Sequence, residues 1–289
     1  MNNDNKTPDS NSLNEDKETD SSSLVTKIKA LNDSRIGWPD INPGRSSLKH
    51  GWFFQSHQDV LKLLIGDETR CIVELGSWLG RSAEYFAKKA PNAVIFAADL
   101  WDNSVILADS HYNTSAENLA IVNAGPIYDQ FLSNLWPYRC NLSESNDTKP
   151  LKGVVPMKMD GCEALRILKS LGVEPDLIYV DACHHYEGVL HDISTALELF
   201  PSADIVGDDW DYPDVQRAVK ECARARDFVP FVEGYKCWTF SKEKCEAKAR
   251  KLRIEEARKE EDEMSNKRSK QSVSSKMSLK DALRAYKNK

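Results

Sequence analysis

The chain has 289 residues, of which 40% are hydrophobic and 29% are charged, and its formal net charge is −6. This size and composition allow one large domain or two small ones, each with a core, while no apolar run reaches the roughly 18 residues that a transmembrane helix needs. The first thirty residues lack the apolar centre of a signal peptide, and seven cysteines at scattered spacings form neither a disulfide framework nor a zinc pattern. We therefore predict a reduced, cytoplasmic protein with no membrane partner.

The charge is unevenly distributed. Residues 243–289 contain 15 Lys and Arg against 9 Asp and Glu, so residues 1–242 carry a net charge of about −12. An acidic globular part disfavours nucleic acid as a general partner, because binding to the phosphate backbone depends on positive charge. The sequence leaves open whether the chain forms a homo-oligomer.

Both ends of the chain differ in composition from its middle. We assign residues 1–34 to a disordered N-terminal tail, because residues 1–23 have too few apolar side chains to offset the entropy of ordering. Within this tail, residues 24–34 begin with the pattern of a short helix. Residues 35–241 form the predicted domain. Residues 242–289 form a charged tail, helical up to about residue 264 and flexible beyond it, which we interpret as a solvated appendage, with a partner-binding or nucleic-acid arm as the alternative.

Strands and helices alternate through the domain. A helix is predicted at residues 56–65, with Ser56 as its N-cap. Strands are predicted at 71–75, 94–98, 154–158, 177–181, 203–207, 227–232 and 236–240, and helices at 81–90, 115–123, 127–135, 161–171, 187–199 and 213–225. This order predicts an α/β fold with a mostly parallel seven-stranded sheet, helices on both faces and a C-terminal antiparallel hairpin. Residues 102–151 are either a lid or substrate loop, or a plain surface insertion.

The first strand leads into a glycine-flanked turn. Its pattern is Glu74-x-Gly76-x-x-x-Gly80, which differs from the G-x-G-x-x-G of a dinucleotide site and leaves room for an amino-acid group. Glu74 can receive a positive ammonium group. Asp99 ends the second strand, 25 residues later, where a carboxylate accepts hydrogen bonds from ribose hydroxyls. Trp101 either packs on a flat base or belongs to the core.

These residues resemble the class I S-adenosylmethionine-dependent methyltransferases over roughly residues 50–241. Glu74–Gly80 is similar to their first motif, Asp99 to their ribose-binding acid, and Met159–Leu165 to the motif in which an Asp, here Asp160, accepts from the adenine amine. The resemblance implies a Rossmann-like sheet with S-adenosyl-L-methionine as cofactor. The implied cofactor-binding residues are Glu74, Gly76, Ser77, Gly80, Asp99, Trp101 and Asp160.

Three carboxylates follow two later strands. Asp181 ends the fourth predicted strand, and Asp208 and Asp209 follow the fifth, so all three are expected at the same edge of the sheet. Acids placed together raise one another's pKa unless a cation lies among them, and Mg²⁺ is a cation that prefers oxygen ligands. The sequence thus predicts a metal site. The alternative is that Asp208 or Asp209 caps the helix near residue 213.

The segment Asp181-Ala-Cys-His-His-Tyr-Glu187 resembles the D-x-D-H-x-Y-E motif of metal-dependent small-molecule O-methyltransferases, including the macrocin O-methyltransferase type. The resemblance implies methylation of a hydroxyl on a small molecule with Mg²⁺ assistance, with Asp181 and His184 as catalytic residues. Cys183 replaces the second Asp of the motif, so the base would be His184 or, with less support, His185.

Two other functions remain open. The replacement at Cys183 and the unusual tails are also compatible with a non-catalytic cofactor-binding protein on the same fold. The acidic motifs further resemble cephalosporin-hydroxylase-like metal enzymes, and a fold by itself does not determine chemistry. Cys183 is interpreted as a small packing residue, and Trp52 and Trp210 line a substrate pocket or pack at its rim.

Overall fold

The structure is a computed structural model that describes residues 24–109, 115–142, 151–255, 257–259 and 264. Its strands are β1 Cys71–Leu75, β2 Val94–Asp99, β3 Gly153–Lys158, β4 Leu177–Val180, β5 Asp204–Gly207, β6 Phe231–Glu233 and β7 Cys237–Thr239. Its helices are α1 Leu24–Leu31, α2 Gln55–Leu64, α3 Arg81–Lys89, α4 Asn103–Ala108, α5 Ala116–Asn123, α6 Ile127–Leu135, α7 Gly161–Ser170, α8 Tyr186–Leu199 and α9 Pro213–Ala225. A 3₁₀ turn, Trp136–Tyr138, follows α6.

The seven strands form one sheet in the order β3-β2-β1-β4-β5-β7-β6. The first five are parallel, and β7 runs antiparallel to both β5 and β6. The chain order reverses between the neighbouring strands β1 and β4. Ligands in open α/β sheets bind outside the carboxyl ends of the strands at such a switch point, so the topology points to the ends of β1 and β4.

Each face of the sheet carries its own core. One face packs against α1, α7, α8 and α9, with Leu165 and Ile193 among its buried residues. The opposite face packs against α2, α3 and α6, with Leu61, Phe86 and Phe131 fully or nearly fully buried. Burial on both faces explains why the strands read as apolar runs without polar alternation. The predicted α/β architecture with helices on both faces and a closing antiparallel hairpin is confirmed.

The predicted elements differ from the observed ones mainly at their ends. The predicted strand at 227–232 begins later, at Phe231, and α4 was not predicted. The predicted N-cap Ser56 is wrong: α2 begins one residue earlier, and Phe54 is its N-cap. The backbone N–H of Phe54 donates to Nδ1 of His57 at 2.8 Å, so the side chain of the third helical residue satisfies the amide of the N-cap.

The termini are more closely tied to the domain than the predicted boundaries at 35 and 241 imply. Val25 and Ile28 of α1 are buried in the core. Residues 242–255 are helical, and Cys245 on this helix is buried while Lys244 pairs with Asp204. Residues 1–23 and 265–289, for which we predict disorder and a flexible tail, lie outside the described residues.

The segment after β2 is partly built into the fold. Its described portions, 102–109 and 115–142, contain three helices, and α6 buries Ile127, Phe131 and Leu135 against the sheet. No described helix is long and apolar enough to cross a membrane.

Candidate active site

The turn between β1 and α3 needs glycine at both ends. Gly76 has φ +84° and Gly80 has φ +85°, a left-handed conformation that side chains other than glycine rarely adopt. A Cβ on Gly76 would also collide with the backbone carbonyl of Asp181, and one on Gly80 with the side chain of Leu135. The predicted glycine pattern therefore serves packing as well as turn formation, and it brings the end of β4 directly against the turn.

Asp99 organises this turn through backbone hydrogen bonds. Its Oδ2 accepts from the N–H groups of Ser77 at 3.0 Å and Trp78 at 2.9 Å, and its Oδ1 accepts from Trp101 at 2.7 Å. Desolvation raises the pKa of Asp99, while these three donors oppose the rise by stabilising the carboxylate. The acid predicted to bind ribose is thus also the residue that shapes the loop.

Glu74 lies beneath the turn and is fully buried. The hydroxyl of Ser77 donates to its Oε2, and the side chains of Ser77 and Ser82 both favour its charged form. Burial raises the pKa of Glu74 to about 7, because the charged form loses its hydration. Glu74 lines neither of the cavities described next, so its carboxyl contacts the turn from behind.

A cavity of about 340 Å³ opens where β1, β2, β3 and β4 end, and we call it the strand-end cavity. Gly76, Asp99 and Asp160 line it, together with apolar residues such as Ile106 and Met159. Asp160 is the N-cap of α7 and accepts from the N–H of Glu163 at 3.1 Å. The cavity therefore has acids at the ends of two strands beside an apolar wall.

Trp101 does not line this cavity. It is 3% exposed and packs against Phe131 and Tyr128, with ring centroids 4.4 and 4.9 Å away, while its Nε1–H donates to the carbonyl of Trp78 at 2.7 Å. This packing fits the core alternative for Trp101. Its contact with Trp78 connects the turn to α6.

The three predicted acids meet at the same edge of the sheet. One carboxylate oxygen from each of Asp181, Asp208 and Asp209 lies within 4.8 Å of the others. Desolvation, followed by the charges of Asp208 and Asp209, raises the pKa of Asp181 well above its usual range. Burial likewise raises the pKa of Asp208. We call this group the carboxylate cluster, and its concentrated negative charge is the setting in which a cation is stabilising.

Two histidines hold this cluster from opposite sides. Nε2 of His57 lies 2.7 Å from Asp208 Oδ1, and Nε2 of His184 lies 2.8 Å from Asp209 Oδ2. Because Nδ1 of His57 accepts from a backbone N–H, the ring proton of the neutral form is on Nε2 and faces Asp208. Burial lowers the pKa of His184, but Asp209 outweighs this effect and the net pKa is raised.

The capping alternative for the acids does not hold, because Tyr212 is the N-cap of α9. Asp209 instead has φ +61°, and its N–H donates to Asp208 Oδ1 at 2.5 Å. This left-handed residue directs two successive carboxylates toward Asp181.

A second cavity, of about 260 Å³, contains the carboxylate cluster, and we call it the carboxylate cavity. Its rim is aromatic: His50 and Trp52 meet edge to face at 5.1 Å, and Trp78 Nε1 donates to His50 Nδ1 at 3.0 Å. Gly76, Trp78 and Asp181 line both cavities. The two spaces therefore meet at the glycine turn.

The other residues of the Asp181–Glu187 segment do not line the carboxylate cavity. Cys183 lines the strand-end cavity, and burial raises the pKa of its thiol, which fits a packing role. His185 is the N-cap of α8, and the Tyr186 hydroxyl donates to Glu221 at 2.5 Å. Trp210 lines neither cavity and stacks under Lys220, whereas Trp52 lines the carboxylate cavity.

Several cavity residues were not predicted as site residues. They are His50, Phe53, Arg81, Tyr212 and Lys236, together with His57 behind the cluster. Most stand on loops or helix starts without a strand-end position. The one usable signal was a pair of histidines, His50 and His57, close together ahead of the first strand.

Comparison with known proteins agrees with the predicted class. Residues 73–210 match the family model Methyltransf_24, described as a methyltransferase domain. The match covers slightly less than half of the chain and includes both the glycine turn and the carboxylate cluster. No curated protein matched the chain. The match and the fold support an S-adenosylmethionine-dependent methyltransferase.

Solved structures with a similar arrangement include an O-methyltransferase from Bacillus cereus in complex with SAH, with 14% identity, a TM-score of 0.37, and coverage of 75% of this chain and 86% of that one. Another is CalS11, a TDP-rhamnose 3'-O-methyltransferase of calicheamicin biosynthesis, with 13% identity, a TM-score of 0.38, and coverage of 64% and 80%. A fibrillarin pre-rRNA processing protein from Methanococcus jannaschii has 12% identity, a TM-score of 0.36, and coverage of 61% and 66%. Similarities at this level do not bear on the acceptor.

Proposed function

We propose that this protein transfers a methyl group from S-adenosylmethionine to a hydroxyl of a small molecule, with the help of a divalent cation. The supporting observation is that the strand-end cavity and the carboxylate cavity share Gly76, Trp78 and Asp181. A methyl donor in the first cavity would direct its reactive group toward the second. Methyl transfer requires this kind of alignment, because the sulfonium is already reactive.

The cofactor is proposed to bind in the strand-end cavity. Gly76, Ser77 and Gly80 form the turn at the start of α3, and Asp99 and Asp160 provide carboxylates for the ribose and the base. Glu74 and Trp101 are proposed to act from behind this surface: Glu74 through Ser77, and Trp101 through the carbonyl of Trp78.

The carboxylate cluster fits a Mg²⁺-like ion. The three carboxylate oxygens lie within 4.8 Å of one another, and carboxylate oxygens are the ligands that such an ion prefers. Asp181, Asp208 and Asp209 would hold the ion, and His57 and His184 orient two of these ligands from outside. Bound there, a divalent cation would act as a Lewis acid that makes a nearby hydroxyl easier to deprotonate.

The proposed reaction is a direct displacement. The acceptor oxygen attacks the methyl carbon, the new C–O bond forms as the C–S bond breaks, and the electron pair of the broken bond stays on sulfur. The products are the methyl ether and neutral S-adenosylhomocysteine. The proton of the hydroxyl passes to the ring of His184, whose Nε2 lies 2.8 Å from Asp209 Oδ2. Asp181 faces both cavities and helps to orient the hydroxyl.

Calorimetry with S-adenosylhomocysteine tests the cofactor assignment. We expect binding in the micromolar range by the wild-type protein and loss of binding in Asp160→Ala, which removes a carboxylate from the cavity. An absence of binding to the wild type would refute the proposal.

Product mass separates the remaining functions. Incubation with S-adenosylmethionine, Mg²⁺ and a panel of hydroxylated compounds should yield a product that has gained a methyl group. Gain of an oxygen would indicate a hydroxylase instead, and cofactor binding without turnover would indicate a binding protein. Full methylation by Asp208→Ala without added metal would remove the metal from the mechanism.

A further inference from the structure

A third depression adjoins the carboxylate cavity. It has a volume of about 350 Å³ and shares His50, Phe53 and Arg81 with that cavity. It lies between α3 and the loop at residues 47–51. A substrate with its hydroxyl at the carboxylate cluster would therefore extend into this depression if it were longer than one ring.

The wall of this depression is anchored. Asn134 on α6 accepts from the N–H of Leu48 at 3.0 Å and donates to the carbonyls of Leu48 at 2.9 Å and Leu79 at 3.0 Å. Arg81 donates to the carbonyl of Gly51. These bonds tie the 47–51 loop to both α6 and the start of α3, so the depression is a formed feature of the fold.

Its charge differs from that of the rest of the domain. Lys49, Arg81 and Lys88 line it along with a single acid, Glu84. Lys88 pairs with Glu84 at 2.7 Å, which neutralises both groups. Among the described residues, no carboxylate forms an ion pair with Lys49 or Arg81. We call this depression the basic groove, because three cations and one acid among its lining residues give it a net charge of about +2.

The surrounding acidity does not cancel this local charge. Arg81 also lines the carboxylate cavity with its three acids, whereas Lys49 lines only the groove. The other exposed acids of residues 1–242, which carry about −12, interact weakly with the groove where they lie beyond the screening length of about 8 Å at physiological salt. The groove also has an apolar wall, because Phe53 and Tyr85 pack with ring centroids 5.0 Å apart. Two cations beside an aromatic wall suit an anion carried on an apolar group.

We infer that the basic groove binds an anionic group, a carboxylate or a phosphate, of the acceptor substrate. This deepens the proposed function and rests on it for the role of the neighbouring cavity. The acceptor is then a hydroxylated molecule with an acidic group beyond its reacting end. The overall negative charge of the domain, which disfavours polyanions, permits a single anion at this position.

Binding of simple probes tests the groove without any methyl transfer. The probes are 3-phenylpropanoate, phenyl phosphate and the neutral 3-phenylpropanamide, and their affinities are measured by NMR titration of the full-length protein. We expect either anion to bind about tenfold more tightly than the amide, as two charge-assisted contacts provide. The two anions distinguish a carboxylate site from a phosphate site.

Lys49→Gln and Arg81→Gln should each reduce this preference, and the double variant should abolish it. Lys49 is exposed, so its variant preserves the fold even if Arg81→Gln does not. Lys62→Gln on α2 makes the same charge change outside the groove and should keep the preference. Equal binding of anion and amide, no binding of the anions, or a preference that survives the double variant would overturn the inference. S-adenosylhomocysteine calorimetry reports on the proposed function separately.

Discussion

Burial of the Glu74 carboxyl destabilises the folded protein, and the same residue supports the turn at the proposed cofactor site. Its carboxyl is fully buried under the glycine turn, and Ser77 is the donor to one of its oxygens. Burial raises its pKa from 4.5 to about 7, so the group is partly protonated at neutral pH. A residue whose charged form destabilises the fold is placed where it supports the turn that faces the proposed cofactor.

Replacement of Glu74 by Gln should make stability less dependent on pH. The raised folded-state pKa means that wild-type stability is lost as pH rises from about 4.5 to about 7, while glutamine stays neutral. We expect E74Q to gain roughly 3 kcal/mol relative to wild type between pH 4.5 and pH 8, as measured by urea unfolding at several pH values. Glu198→Gln, on the exposed side of α8, should show no such trend. A pH-independent difference for E74Q would contradict this explanation.

Helix α1 shows that an element outside the predicted domain completes the core. It is only eight residues long, and isolated helices of this length are not stable in water. Its stability must come from packing, and Val25 and Ile28 supply it by entering the core on the sheet face that α7, α8 and α9 cover.

Ile28→Ala should therefore destabilise the whole domain by about 2–4 kcal/mol, because it removes buried methyl groups and leaves a cavity. Leu31→Ala lies on the same helix but is 40% exposed, so it should cost well under 1 kcal/mol. Thermal or urea unfolding of the two variants gives the comparison. Equal effects would mean that α1 does not contribute to the cooperative core.

At the scale of the whole molecule, the sheet gathers acids that are far apart in sequence. The ends of β4 and β5 bring Asp181 to Asp208 and Asp209, and α2 adds His57 from before the first strand. The resulting charge repulsion is part of the unliganded state, so a bound cation should stabilise the fold by mass action.

Mg²⁺ or Mn²⁺ should raise the melting temperature by several degrees relative to EDTA. The reason is that a ligand at a hundredfold excess over its Kd raises the free energy of unfolding by about 2.7 kcal/mol. Asp209→Asn should lose most of this rise while keeping its left-handed backbone, which asparagine tolerates. Asp214→Asn, on α9 and outside the carboxylate cluster, should keep the full rise. A rise that is the same in wild type and D209N would place the metal elsewhere.

The sequence by itself determined the alternation of strands and helices, the glycine turn and the convergence of the three acids. These follow from local rules: apolar runs mark buried strands, and parallel strands end at one edge of a sheet. It also predicted Asp99 as a site residue from its position at a strand end, and Asp160 from its resemblance to a family motif.

Only the tertiary structure decided which other side chains lie beside these acids and around the site. His57 reaches Asp208 across 151 positions of sequence, and Asn134 anchors Leu48 across 86. Such contacts depend on how α2 and α6 pack on the sheet, and no local pattern encodes that packing. For the same reason Trp101, which could have faced a base, was assigned to the core only by its neighbours Phe131 and Tyr128.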